Sequence, residues 1–126
     1  MKSSSTRNVP VTDPEVALQR LGGDKTLYAA LVSYFLQDAP ELMRRLRDAH
    51  RAGALQAVVE TSHGLKGLAA TFEALPFVQV ASDFESVAKS GNRESLDALL
   101  PQLESEFARL FGDLEIAATS LPPISM

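Results

Sequence analysis

Apolar residues recur at steps of three and four along almost the whole chain, and no segment alternates apolar and polar residues over a strand's length with β-branched enrichment. That period predicts an all-α fold. Turn and cap residues divide it. Residues Met1 to Val11 are polar, contain three consecutive serines and carry no periodicity, so they are expected to be a disordered lead. Thr12 with Glu15, or Asp13 with Pro14, can open a short helix over Val16, Leu18 and Leu21 that Gly22-Gly23 ends. Asp24 can cap a second helix, in which Leu27, Ala30, Leu31, Tyr34 and Phe35 repeat as far as Gln37. Pro40 pushes Ala39 away from helical angles, so a third segment starts or the second kinks there, and Leu42, Leu46 and Ala49 continue the buried stripe until Gly53. The next helix is predicted from about Ala54 to about Glu73. Another runs from Pro76 to Ser90 with Phe77, Val80, Ala81, Phe84 and Val87 inward. Gly91 stops it and Asn92 caps the last, which carries Leu96, Leu99, Leu100, Leu103, Phe107, Leu110 and Leu114 and should kink or restart at Pro101. Beyond Thr119 the tail SLPPISM cannot continue a helix.

Amphipathic helices with short connections bury their stripes most simply as an antiparallel four-helix bundle with a short additional N-terminal helix. The expected division is a lead over 1–11, one bundle over 12–119 and a loose tail over 120–126. A chain of 126 residues with 45% hydrophobic residues suits one domain with one core. The absence of cysteine excludes disulfides, thiolate catalysis and cysteine-based zinc sites. A net charge of −4 argues against nucleic acid as a partner. No apolar run reaches the roughly 18 residues of a membrane span, and the start MKSSSTRNV lacks the apolar block of a signal peptide, so a cytoplasmic location away from membranes is expected. Arg44, Arg45 and Arg47 form a local basic cluster, read as a solvated helix face or a docking patch for an acidic partner.

The stretch ETSHGLKGLAATFEA, Glu60 to Ala74, is the most informative. Leu55, Val58, Ser62, Leu65, Ala69 and Phe72 form one stripe, a core face. His63 lies about 130° from its centre, beside Gln56, Glu60, Gly67 and Ala70, and its ring should face solvent. Gly64 and Gly67 each cost roughly 1 kcal/mol relative to alanine inside a helix, so helix stability is given up on both sides of one histidine. Bare backbone beside an exposed ring lets another surface approach. Lys66 is near enough to neutralise an anion on the ring, and an imidazole is a nucleophile that titrates near neutral pH.

At these residues the sequence resembles the histidine-containing phosphotransfer (HPt) domain of bacterial phosphorelays. The resemblance covers LGGD at Leu21 to Asp24, APEL at Ala39 to Leu42, His63-Gly-Leu-Lys66-Gly67 with Ala69 and Ala70, and an apolar helix ending near Phe84-Glu85. It implies that His63 is a phosphoacceptor taking a phosphoryl group from an aspartyl phosphate on one receiver domain and passing it to another. Lys66 would be the charge partner and Gly67 would admit the receiver, with Gln56, Glu60, Gly64 and Ala70 on the contact face. Partners would be response regulator receiver domains and a hybrid sensor histidine kinase. The chain would bind no cofactor, magnesium residing in the receiver, and would act as a phosphocarrier without an ATP site; neither a GxGxxG nor a Walker A pattern is present. A monomer is expected. The family usually has glycine ten residues after the histidine, where this chain has Glu73, so the helix is expected to run longer.

Two other readings bear on the same residues. Glu60-x-x-His63 has the spacing of di-iron carboxylate ligands, but His50 has no glutamate three residues before it and His63 is predicted to point outward, so no metal site is expected. An adaptor bundle that binds receivers without accepting phosphate would use the same face. His50 reads as an ordinary residue near a helix end.

Overall fold

The computed structural model describes residues 10–120, so nearly all of the expected lead, and the tail after Ser120, lie outside the described residues. Five helices and no strand occur among them: α1 (Pro14–Arg20), α2 (Lys25–Ala52), α3 (Leu55–Ala70), α4 (Leu75–Ser90) and α5 (Arg93–Thr119). The fold is an all-α helical bundle. α2 packs on α3 and α5, α4 packs on the same two, and α1 lies against α2.

The N-terminal caps follow from short polar side chains. Asp13 Oδ1 accepts from Val16 N at 3.2 Å with Pro14 at the first helical position, Asp24 Oδ1 accepts from Leu27 N at 3.0 Å, and Asn92 Oδ1 accepts from Ser95 N at 3.0 Å. Of the two expected openings of α1, the Asp13-Pro14 pair forms. Thr12 instead donates its hydroxyl to Asp113 Oδ2 of α5 at 2.9 Å, and Asp13 N donates to Phe72 O at 3.1 Å, which pins the chain ahead of α1 to two other parts of the bundle.

Neither internal proline ends its helix. The segment expected to begin at Pro40 is the second half of α2, and Pro101 lies within α5. An interior proline forfeits a backbone hydrogen bond and costs about 3 kcal/mol. In α2, however, Phe35, Ala39, Met43 and Leu46 are all buried and keep one phase across Pro40. Large side chains each contribute about 1.5–3 kcal/mol on burial, so the continuous stripe outweighs the lost bond. The buried face of the first half of α2 also differs from the expected one. Tyr28, Ala29, Val32 and Phe35 point inward, whereas Leu27 and Tyr34 are 41% and 53% exposed. This half carries two apolar stripes about 100° apart, and its own periodicity does not choose between them; the packing of Tyr28 and Phe35 edge-on against Phe72 does.

α3 ends sooner than expected. Glu73 does not extend it but adopts a left-handed conformation with φ of 53°. Glu73 N donates to Ala70 O at 3.1 Å and Ala74 N to Ala69 O at 3.3 Å, the paired bonds of a Schellman turn. The same pattern closes α2 at Gly53 and α4 at Gly91, where glycine has no Cβ to strain. Glu73 accepts the strain because the turn brings Phe72 and Ala74 into the core on either side of it, and its carboxylate pairs with Arg20 of α1. Glu73→Gly and Glu73→Ala both lose that ion pair, but only glycine removes the strain. The glycine variant should therefore be the more stable by about 1 kcal/mol in urea unfolding, the reverse of the order inside a helix. Equal stabilities would show that the left-handed residue is unstrained.

Candidate functional site

Burial of α3 sets the site. Val58, Ser62, Leu65 and Ala69 are inaccessible to solvent, and the Ser62 hydroxyl is satisfied within the helix by donating to Val58 O at 2.6 Å. With that face inward, the His63 side chain is 71% exposed. Gln56, Glu60, Gly67 and Ala70 share the exposed side, while Gly64 is half-buried. Gln56 Nε2 donates to Glu60 Oε2 at 3.3 Å, so these two engage each other one turn before the ring.

The two glycines are not equivalent. A Cβ at Gly64 would meet Leu42 Cδ1 at 3.8 Å, an ordinary contact, whereas one at Gly67 would meet no atom within 4 Å apart from its own helix backbone and chain neighbours. Internal packing therefore does not require glycine at either position. Gly64 lines a groove of about 450 Å³ between α2 and α3 with Tyr34, Leu42 and Leu68. Gly67 and Ala70 line a second, of about 290 Å³, against Ala17, Arg20 and Leu21. Asp38, Glu41 and Arg45 also line the first groove and Thr71 the second, so the depressions beside the two glycines are of mixed polar and apolar character.

Lys66 is not free. Its ammonium donates to Glu85 Oε1 at 2.8 Å, across from α3 to α4. Glu85 Oε2 lies 3.3 Å from His63 Nδ1 and 3.4 Å from Lys89 Nζ. The Glu85 side chain is only 8% exposed, yet Lys66, with Lys89 beyond it, holds its carboxyl below the usual carboxylate range against the opposing effect of burial. Two cations and one ring nitrogen thus converge on a single buried carboxylate.

Reading the sequence named Glu85 only as the end of an apolar helix and did not name Lys89. A signal was available: Glu85 sits between inward Phe84 and Ala88, with Lys89 four residues on. His50 was also under-read. Its Nε2 lies 2.7 Å from Asp97 Oδ1 and its ring faces Phe84, so it joins α2 to α5. The arginine cluster is divided in the same way. Arg44 and Arg45 pair with Glu41 on their own helix, Arg44 also with Asp48, while Arg47 makes two 2.8 Å bonds to Glu104 of α5. Among the described residues no group of three or more His, Asp or Glu side chains is placed to hold a metal ion, and no helix is long and apolar enough to cross a membrane.

The family model described as Hpt domain matches residues 30–113. Among solved structures, the chain is similar to the crystal structure of histidine-containing phosphotransfer protein B (HptB) from Pseudomonas aeruginosa PAO1. The TM-score is 0.81 at 26% identity, covering 90% of this chain and 99% of that one. No curated protein sequence gives a significant match.

Because folding lowers the Glu85 pKa, its contribution to stability is complete above the ordinary value of 4.5 and is lost as pH falls through the lower folded value. Wild type should exceed Glu85→Gln by about 1 kcal/mol at neutral pH, a modest figure because both lysines are partly solvated. The difference should shrink as pH falls below 4.5 and the carboxyl takes up its proton in the folded state as well. Urea unfolding over a series of pH values from neutral into acid checks this; an undiminished difference in acid would mean that packing, and not charge, distinguishes the variants.

Proposed function

The chain belongs to the Hpt domain family, and from that premise we propose that it is a phosphorelay intermediate in which His63 accepts a phosphoryl group from an aspartyl phosphate of one receiver domain and passes it to the aspartate of another. The observation that carries this reading is an exposed imidazole one turn before Gly67, a glycine that the chain's own packing does not require. A glycine that costs helix stability and fills no internal need is explained by a surface from outside that must come close.

Such transfer needs little from this chain. Aspartyl phosphate and phosphohistidine are both high-energy, so exchange between them proceeds in either direction without ATP. The chain brings a positioned nucleophile and nearby positive charge, and the receiver brings magnesium and its acidic pocket; no cofactor is bound here. Lys66, three residues after His63 on α3, would turn part of its charge from Glu85 to the bound phosphoryl group. The shallow grooves beside Gly64 and Gly67, with Gln56, Glu60 and Ala70, form the face that a receiver would cover.

The four long helices would form an antiparallel bundle with α1 as the additional short helix, a reading supported by the two-residue connections Gly53-Ala54 and Gly91-Asn92. A monomer in the cytoplasm, supplied by a hybrid sensor histidine kinase, completes the proposal.

Incubation with a phosphorylated receiver should label the protein with an acid-labile, alkali-stable phosphoryl group that is absent in His63→Gln. Label retained in that variant would remove His63 from the mechanism. Gly67→Ala separates folding from docking. It should stabilise the helix by up to about 1 kcal/mol in urea unfolding while slowing transfer from the receiver, and transfer at the wild-type rate would show that the receiver does not press on this position.

A further inference from the structure

Glu73 is a costly residue for its place. A left-handed conformation strains any side chain with a Cβ, and Gly53 and Gly91 make the same turn without that strain. The pairing of Glu73 with Arg20 returns little of this as stability, because the arginine side chain is 65% exposed and water screens the pair. What the pair fixes is position. Phe72 O accepts from Asp13 N at 3.1 Å just ahead of α1, and the next residue, Glu73, holds Arg20 at the last position of α1. One turn therefore grips α1 at both of its ends.

Held in this way, α1 becomes a wall beside the candidate docking face. Ala17, Arg20 and Leu21 stand across the groove of about 290 Å³ from Gly67 and Ala70, and among the described residues lining that groove Arg20 carries the one charge. A Cβ at Gly67 would meet no neighbouring atom, so the groove is open on the side of His63, one helical turn away. Glu73 engages Nη1 of Arg20. A guanidinium presents five N–H donors in a planar fork, and those that remain suit a second carboxylate. Lys66 and Lys89 face Glu85 on the α4 side, so Arg20 is the cation of the α1 side.

We propose that Glu73 stands at a glycine position in order to hold Arg20 at the rim of the Gly67 groove, where its remaining N–H groups bind a carboxylate side chain on the surface of the docking receiver domain. The contact rests on a receiver covering His63; the grip of Glu73 on α1 does not. A surface that covers Gly67 also meets Arg20, because the two line one groove. A receiver carboxylate there completes the guanidinium fork, and a lysine or arginine there is repelled, so Arg20 selects among receivers by the sign of the charge they set against α1. It takes no part in forming the N–P bond.

The test uses receiver domains that have been phosphorylated with acetyl phosphate and that label the wild-type chain, with the transfer rate followed as receiver concentration is varied. Arg20→Gln should raise the half-saturating receiver concentration roughly fivefold, change the rate at saturation by less than about twofold, and lose most of the weakening that wild type shows between about 0.05 and 0.5 M salt. Glu73→Gly keeps the cation but releases it, and should raise half-saturation about twofold, the cost of ordering a loose side chain. In Arg20→Lys, a carbodiimide should join position 20 by an amide bond to a receiver carboxylate, identified by mass spectrometry of the linked peptides. Half-saturation of Arg20→Gln equal to that of wild type, or coupling from position 20 to Glu73 alone or to nothing, overturns the receiver contact. An impaired Arg20→Gln beside a Glu73→Gly that matches wild type overturns the holding role of Glu73. Urea unfolding establishes that each variant is folded, and an Arg20→Gln that is less stable but docks normally shows a merely structural pair. If no receiver labels the wild type, transfer through His63 fails and the contact with it; a labelled wild type with an unaltered Arg20→Gln overturns the contact alone.

Discussion

Burial of one face of α3 is the constraint on which the rest depends. Val58, Ser62, Leu65 and Ala69 are held between α2 and α4, and a helix with one face so held has no freedom to rotate. Small residues at Ser62 and Ala69 let the neighbours approach, and the Ser62 hydroxyl, bonded to the carbonyl four residues earlier, leaves no polar atom unsatisfied in that contact. The exposure of His63 follows from this packing rather than from any interaction of the ring itself.

The same packing brings α4 close enough to add a carboxylate. Glu85 lies on a helix whose other inward residues are apolar, and an ionised group so little exposed needs compensation. Lys66 supplies it from α3 and Lys89 from α4, and both keep enough contact with water to limit their own desolvation. The arrangement is an economical one: a single buried charge orders Lys66, approaches one nitrogen of the ring and leaves the rest of the imidazole outside. Elsewhere, His50 with Asp97 and Arg47 with Glu104 join α2 to α5 and lie on other helices than the phosphoacceptor candidate.

Much of the fold was legible because its signals are local. Asp24 and Asn92 cap α2 and α5 as expected, and Gly53 and Gly91 end α2 and α4, since a cap needs only the few residues around it. Within the expected α3 stripe Val58, Ser62, Leu65 and Ala69 are buried, Leu55 packs partly buried at the start, and Phe72 reaches the core from the turn after the helix. The failures share a different character. Of the two outcomes expected at Pro40, a new segment did not form: α2 continues through it, held by the packing of Phe35, Ala39, Met43 and Leu46. The two stripes of early α2 were ambiguous until Phe72 selected between them. Glu73 was expected to lengthen α3, because a non-glycine residue ordinarily avoids positive φ; the flanking core residues and Arg20 hold it there.

The amino-acid sequence by itself determined the all-helical class, most of the helix ends and the outward side of α3 that carries His63, because period, caps and turns act over one or two turns of chain. Only the tertiary structure decided that Lys66 is tied to Glu85 and that Glu85 reaches His63 Nδ1. These contacts join residues about twenty positions apart on separate helices, and their existence depends on the rotation and spacing of α3 against α4. Side-chain periodicity states which face of each helix is buried; it does not state which polar groups meet where two buried faces join.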